Sequence, residues 1–212
     1  MAELLDEKTQ LESATVGVFR TAATVKGGRR FSFSSLVVVG NRRGHIGIGY
    51  GKANQVPPAI EKAQKEAKKS MIQVCLQEGT IPHQALGRFG AAKVMLSPAS
   101  PGTGVVAGAS VRAVLEMAGI TDCLTKCFGS NNKQNVVKAT VNALTQLRTK
   151  EEIASLRGVD IDKTEVDERL ERAVGVVIKP KASSEQDDSA STPPESASES
   201  AAETNSEPSK PE

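Results

Sequence analysis

Along the chain the spacing of apolar residues changes several times, and each change marks an element. Val16 and Val18 alternate with small or polar residues, and a second such run resumes near Val25, which predicts two strands there. Phe31-Ser32-Phe33 still alternates, but Leu36-Val37-Val38-Val39 is continuously apolar. A strand covered on both faces has that pattern, so this one is expected at the centre of its sheet. After the turn residues Gly40-Asn41-Arg42-Arg43-Gly44, the next strand puts Ile46, Ile48 and Tyr50 on one face and Gly47, Gly49 and Gly51 on the other. Three positions without side chains weaken a strand and imply that a backbone comes close there, either the protein's own or a nucleic acid's.

The period then lengthens. Pro57 and Pro58 suit the first turn of a helix, and Ile60, Ala63, Ala67, Met71 and Val74 recur every three or four residues, predicting one helix with a core face up to Val74. Residues 76–82 break the pattern and read as the joint between two domains. Beyond it come a strand around Lys93–Leu96, a Gly- and Pro-punctuated loop to Gly104, a helix over Gly108–Ala118 and a strand over Ile120–Phe128. Asn131 and Asn132 in the following turn either cap a helix over Asn135–Arg148 or offer their amides to RNA. A short helix is expected at Glu165–Ala173. The domain division is thus a frayed or helical lead-in at 1–14, domains at 15–78 and 79–158, a partly ordered extension at 159–180, and a tail at 181–212. In that tail Ser, Glu, Pro and Ala dominate without apolar periodicity, so it is expected to be disordered.

Charge changes this picture. The net charge of +2 hides a body of residues 15–150 with 19 bases and five acids, between acidic ends of −3 at 1–14, −3 at 151–180 and −6 at 181–212. Between Val16 and Lys52 there are seven bases, namely Arg20, Lys26, Arg29, Arg30, Arg42, Arg43 and Lys52, and no acid. Ordinary solvated faces interleave both signs, so this stretch points to a polyanion. Gly27 and Gly28 between Lys26 and Arg29 either make a plain hairpin turn with charged flanks or expose backbone N–H groups to phosphates. On the predicted first helix Lys62, Lys65, Lys68 and Lys69 outnumber Glu61 and Glu66, either as a solvated face or as part of the same surface. Aromatic residues are only 3% of the chain, which favours phosphate neutralisation and shape over stacking.

Several chemistries do not fit. The Gly47–Lys52 run lacks the first Gly and the Ser or Thr of a phosphate-binding Walker loop, and Lys52 stands where a dinucleotide fingerprint needs its third Gly. Cys75, Cys123 and Cys127 are odd in number and form no CxxC pair, so buried free thiols are expected rather than a disulfide framework or a metal site. His45 and His83 lack partner acids or thiols. No leader or long apolar run is seen, which implies a cytoplasmic protein with no membrane contact. No cofactor, metal or obligate homo-oligomer is expected. An enzyme built on the second domain is the rival reading, but residues 76–150 offer as carboxylates only Glu78, Glu116 and Asp122, and one imidazole, His83.

Four ordered motifs carry a resemblance. Val25–Phe33 (VKGGRRFSF), Gly47–Ala63 (GIGYGKANQVPPAIEKA), Pro101–Gly119 (PGTGVVAGASVRAVLEMAG) and Phe128–Thr140 (FGSNNKQNVVKAT), with Ala154–Gly158 behind them, closely resemble the S-five family of bacterial small-subunit ribosomal proteins. The resemblance implies an α+β protein: a domain similar to double-stranded RNA-binding folds, with an antiparallel sheet plus helix, then a second small α+β domain. It implies a non-enzymatic constituent of the small subunit that binds its ribosomal RNA where head meets body. Ribosomal proteins four and eight and the place where messenger RNA enters would be neighbours, and the family influences assembly and decoding accuracy. Its loop matching Thr24–Phe31 is associated with spectinomycin sensitivity. The expected RNA-binding residues are the seven bases with Gly27 and Gly28, joined by Lys62, Lys69, Asn131, Asn132 and Lys133. The surface matching Gly102, Gly104 and Arg112 would face protein four. Gln55, Phe128 and Lys133 depart from residues usual in the family, Glu, Tyr and Pro respectively.

Overall fold

The computed structural model describes residues 11–159 and 164–177. Residues 1–10, the tail at 181–212 and parts of the 159–180 extension, with the expectations that concern them, lie outside the described residues. Strands β1 (Glu12–Val25), β2 (Gly28–Gly40), β3 (His45–Ala53) and β4 (Met71–Gln73) form an antiparallel sheet in that order, with helix α1 (Val56–Lys69) between β3 and β4 in sequence. From Phe33 to Gly40, β2 is paired on both edges, and Leu36 to Val39 are all buried. Leu36 and Val38 enter one core, while Val37 and Val39 enter another with Ala63 and Ala67 of α1. The continuously apolar run is therefore the strand between two layers that its pattern implies.

Helix α1 lies on the glycine face. A methyl group on Gly47, Gly49 or Gly51 would overlap the carbonyl oxygen of Ala67, Ala63 or Ala59 respectively, and those three alanines are fully buried. The close backbone is thus the protein's own, met by small residues one helical turn apart. Glu66 reaches back from α1 to accept a 2.9 Å hydrogen bond from the Tyr50 amide.

The second half begins after a tight turn at Glu78 and Gly79, both at positive φ, closed by a Gln77–Thr80 bridge. Strands β5 (Ala85–Phe89), β6 (Ala92–Pro98), β7 (Val105–Val106) and β8 (Cys123–Gly129) form a sheet of order β5-β6-β8-β7, in which only β7 and β8 run parallel. Helix α2 (Ala109–Ala118) joins the two halves. Its Val111, Val114, Leu115 and Met117 share one core with Leu36, Val38 and Ile46 of the first sheet and with Val94 and Leu96 of the second. Helix α3 (Lys133–Leu144) adds Val136, Val137 and Leu144 to that core. At the end of α2 two carbonyls with no helical partner are satisfied from the β2–β3 loop: Arg42 N donates to Met117 O at 3.1 Å and Gly44 N to Ala118 O at 2.9 Å. Helices α4 (Lys150–Arg157) and α5 (Glu165–Val177) follow. Helix α5 docks through buried Val166 and Leu170.

Several boundaries differ from the sequence expectation. The two early strands are one, β1, with a bulge between Thr15 and Gly17, and residues 12–14 of the expected lead-in are paired with β2. The first helix ends at Lys69, because the Ser70 hydroxyl bonds the Ile48 and Glu66 carbonyls and Met71–Gln73 leave to pair with the edge of β3. Strands β5 and β7 and helix α4 were not foreseen.

Candidate nucleic-acid interface

Past Phe33, β2 loses β3 as a partner, yet its pairing with β1 continues to Val25 and Gly28. The two strands leave the sheet as a ribbon whose residues from Arg20 to Phe31 are all exposed. At about 3.3 Å per residue, the five pairs from Thr21–Ser32 to Val25–Gly28 carry it roughly 16 Å beyond the sheet. Lys26 and Gly27 form the turn, and Gly28 takes φ +135°. Gly27 and Gly28 have open space where side chains would stand. A bare ribbon is marginal in water; here the Arg20 guanidinium lies over the Phe31 ring at 4.8 Å and the Thr21 hydroxyl donates to Ser32 O at 3.2 Å.

Cross-strand pairing sorts the cations. Arg20 pairs with Phe33, Ala22 with Phe31 and Thr24 with Arg29, so Arg20 and Arg29 occupy one face with the aromatic rings. Arg30, paired with Ala23, occupies the other. Lys52 pairs with Ser34, on the face that Arg30 extends. The ribbon thus presents cations on both sides and at its tip, with no acid between them. Lys62 is exposed on α1 beside Gly51, across the sheet from Lys52, and Lys69 is exposed at the far end of α1, beside the Gly47–Met71 pair.

Other predicted residues are not brought to the ribbon. Arg42 and Arg43 sit beyond Gly40, at the opposite end of β2, about 40 Å away along a strand of this length. Arg42 adopts φ 55° and ion-pairs with Glu12 at 2.7 Å. With Val105, Arg112, Glu116 and Thr121 it lines an open cleft of about 480 Å³. Arg112 donates to Val105 O at 3.3 Å. Gly102 and Gly104 take φ +86° and +75° in the adjoining loop, and Gly104 N donates to Asp122 Oδ1 at 2.9 Å. Asn132 caps α3, its side chain accepting from Gln134 N at 3.2 Å, while Asn131 is exposed. The Lys133 side chain reaches β1, its Nζ 3.5 Å from where a Cβ on Gly17 would stand.

Among the described residues no group of His, Cys, Asp and Glu assembles that could hold a metal ion. Burial raises the thiols of Cys75 and Cys127 and pushes Cys123 up to about 11, which keeps all three protonated and poorly nucleophilic at neutral pH. His83 Nε2 accepts from Arg148 N at 3.2 Å, a structural bond.

Two family descriptions match this chain. "Ribosomal protein S5, N-terminal domain" covers residues 11–75, and "Ribosomal protein S5, C-terminal domain" covers residues 87–157. The chain belongs to the ribosomal protein S5 family. Among S5 relatives, "Small ribosomal subunit protein uS5" of Rhodopirellula baltica is 60% identical over 147 residues, 69% of this chain and 83% of the relative. The protein of the same name from Syntrophobacter fumaroxidans is 54% identical over 161 residues, 76% of this chain and 97% of the relative. That from Aquifex aeolicus is 52% identical, covering 76% and 77% of the two chains. The α+β architecture expected from the resemblance is the one observed, and S5 proteins are structural constituents of the small ribosomal subunit rather than enzymes.

Proposed function

We propose that this S5 protein binds small-subunit ribosomal RNA through the β1–β2 ribbon, with Arg20, Lys26, Arg29 and Arg30 on phosphates and the Gly27–Gly28 turn allowing close approach. The observation that carries the reading is the ribbon itself: a projecting arm with four cations, no acid and no packing duty in either core. Lys52 and Lys62 flank its base, Lys69 adds a cation at the far end of α1, level with Gly47 and Val39, and Lys133 with Asn131 extends the basic surface toward the second half. The two halves, 15–78 and 79–158, joined through the core around α2, are anchored at the junction of head and body near the incoming messenger. Arg42 and Arg43 belong to a different surface. The cleft of Arg42 and Arg112, with Gly102 and Gly104 beside it, suits a protein neighbour such as ribosomal protein four, and protein eight is a second neighbour; through such contacts the chain influences decoding accuracy in the cytoplasm.

The test is a salt titration of binding to small-subunit RNA fragments. Replacing Lys26, Arg29 and Arg30 together with Ala should weaken affinity and lower the slope of log affinity against log salt by about 2–3. An unchanged affinity and slope, with footprints on the RNA also unchanged, would remove the ribbon from the interface.

A further inference from the structure

Only six residues of this chain are aromatic, yet four of them, Phe31, Tyr50, Phe89 and Phe128, are 40–49% exposed. A singly exposed ring is ordinary; what marks Phe128 is its setting. Phe128 stands on the open face of the second sheet, the face that α3 does not cover. Register aligns it with Lys93 on β6 and Arg88 on β5 in one row across three strands. The next row is Leu86, Met95 and Lys126. Side chains of one row on neighbouring strands are about 5 Å apart, so the Phe128 ring has three cations nearby: Lys93 beside it, Arg88 one strand further and Lys126 two residues before it on β8. No acid lies on this face of β5, β6 or β8.

We propose that this open sheet face holds unpaired RNA nucleotides, with a base stacked on Phe128 and the neighbouring phosphates held by Arg88, Lys93 and Lys126. Two features choose unpaired RNA over other occupants. A protein surface would have to supply three acids to a face that has none, whereas a strand of RNA brings a phosphate with every nucleotide. A paired helix hides its base faces in its own stack, and an exposed ring on an open sheet face is offered to a base that is free. The ribbon neutralises and tracks phosphates; the sheet row adds recognition of base planes. Stacking at this one row would supplement the phosphate neutralisation and shape that the scarcity of aromatic residues favours. The site rests on the reading that the chain binds RNA, and its test separates the two.

The full chain is titrated against a labelled oligouridylate strand and against a labelled blunt RNA duplex. Phe128→Leu keeps the apolar area and loses the stacking plane. It should weaken oligouridylate binding by about fivefold or more while leaving the duplex unchanged, and Phe128→Tyr should bind as wild type. Ultraviolet crosslinking of the oligouridylate, mapped by mass spectrometry, should mark Phe128 or its neighbours in β8. The triple replacement of Lys26, Arg29 and Arg30 should instead weaken the duplex more than the single strand. Melting curves establish that each variant is folded. Oligouridylate binding by Phe128→Leu equal to wild type overturns the proposal and leaves the ribbon untouched. Equal weakening for both RNAs also overturns it. Loss of duplex dependence on the ribbon, with the Phe128 effect intact, would overturn the ribbon reading alone. Failure of Phe128→Leu to join subunits while every RNA binds normally would assign the row to a protein and end the proposal.

Discussion

Substituting Gly49 by Ala tests how the first half is held together. The added methyl would overlap Ala63 O and stand 2.7 Å from Ala67 N and 2.8 Å from Ala63 C. Carbon atoms in contact stay about 3.5–4.0 Å apart, so α1 has to rise by roughly 1 Å. The rise opens a gap above Val37 and Val39, both buried beneath the helix. A gap of 0.5–1 Å forfeits about a quarter to a half of the dispersion well for each contact that spans it. Overpacking of this kind costs about 1–3 kcal/mol, and removing a strand glycine returns about 0.5–1 kcal/mol. At the middle of both ranges the net loss expected is about 1.3 kcal/mol. In urea unfolding this should lower the midpoint by about 0.5–1 M with the slope unchanged. Gly27→Ala is the control, because nothing lies within 4 Å of its added methyl; it should stay within about 0.5 kcal/mol of wild type. A Gly49→Ala protein as stable as the control would refute the seating of α1 on the glycine face.

Three further outcomes are expected. The Cys123 thiol is raised from 9.0 to about 11 by burial, so the folded state holds its proton more tightly than the unfolded state. Its contribution is complete below pH 9 and fades as pH rises through about 11, and the stability difference between wild type and Cys123→Ala should shrink over that window in pH-resolved denaturation. On α5, the Asp167 carboxyl is held below its ordinary value mainly by the Thr164 backbone and side-chain hydrogen bonds, then by Gln77 and Lys150. That stabilisation is present above about pH 3.9 and is lost as pH falls through the folded value, so Asp167→Asn should reduce hydrogen-exchange protection of α5 at neutral pH and make it insensitive to acid. Arg112→Leu removes a cation from the cleft; a loss of about 1 kcal/mol at a protein contact there shifts a two-state equilibrium roughly fivefold, and near-cognate misreading by assembled subunits should rise. Misreading equal to wild type would mean that Arg112 serves only its own Val105 carbonyl.

Elements whose cause is local were legible in the sequence. Leu36–Val39 announced a doubly covered strand, and Asn132 announced a helix cap. Glycine spacing at 47, 49 and 51 announced a close backbone, though not whose. Strand β5 was hidden because its inward positions are Ala85 and Gly87, and a methyl on Gly87 would overlap the Ala139 carbonyl of α3. Small residues chosen for close approach carry no apolar signal. Strand β7 is two residues long and exists through its parallel partner. Helix α4 buries no residue fully, so its signal was the capping box of Thr149 and Glu152 rather than a stripe. Within the interface, a run of seven bases in sequence looked like one cluster. A 13-residue strand separates Arg42 and Arg43 from the ribbon turn, and Glu12, a distant residue in sequence, pairs with Arg42. Linear charge density does not record where a strand ends.

One uninterrupted strand, β2, runs from the ribbon turn to the edge of the cleft. A strand is already near full extension, so a pull on the ribbon at Gly28 finds little slack before Gly40. The load arrives where Arg42 N and Gly44 N grip the end of α2. Any displacement of the ribbon along β2 would therefore meet no bulge or break in that strand before the bonds from Arg42 N and Gly44 N to the end of α2, some 40 Å from the turn.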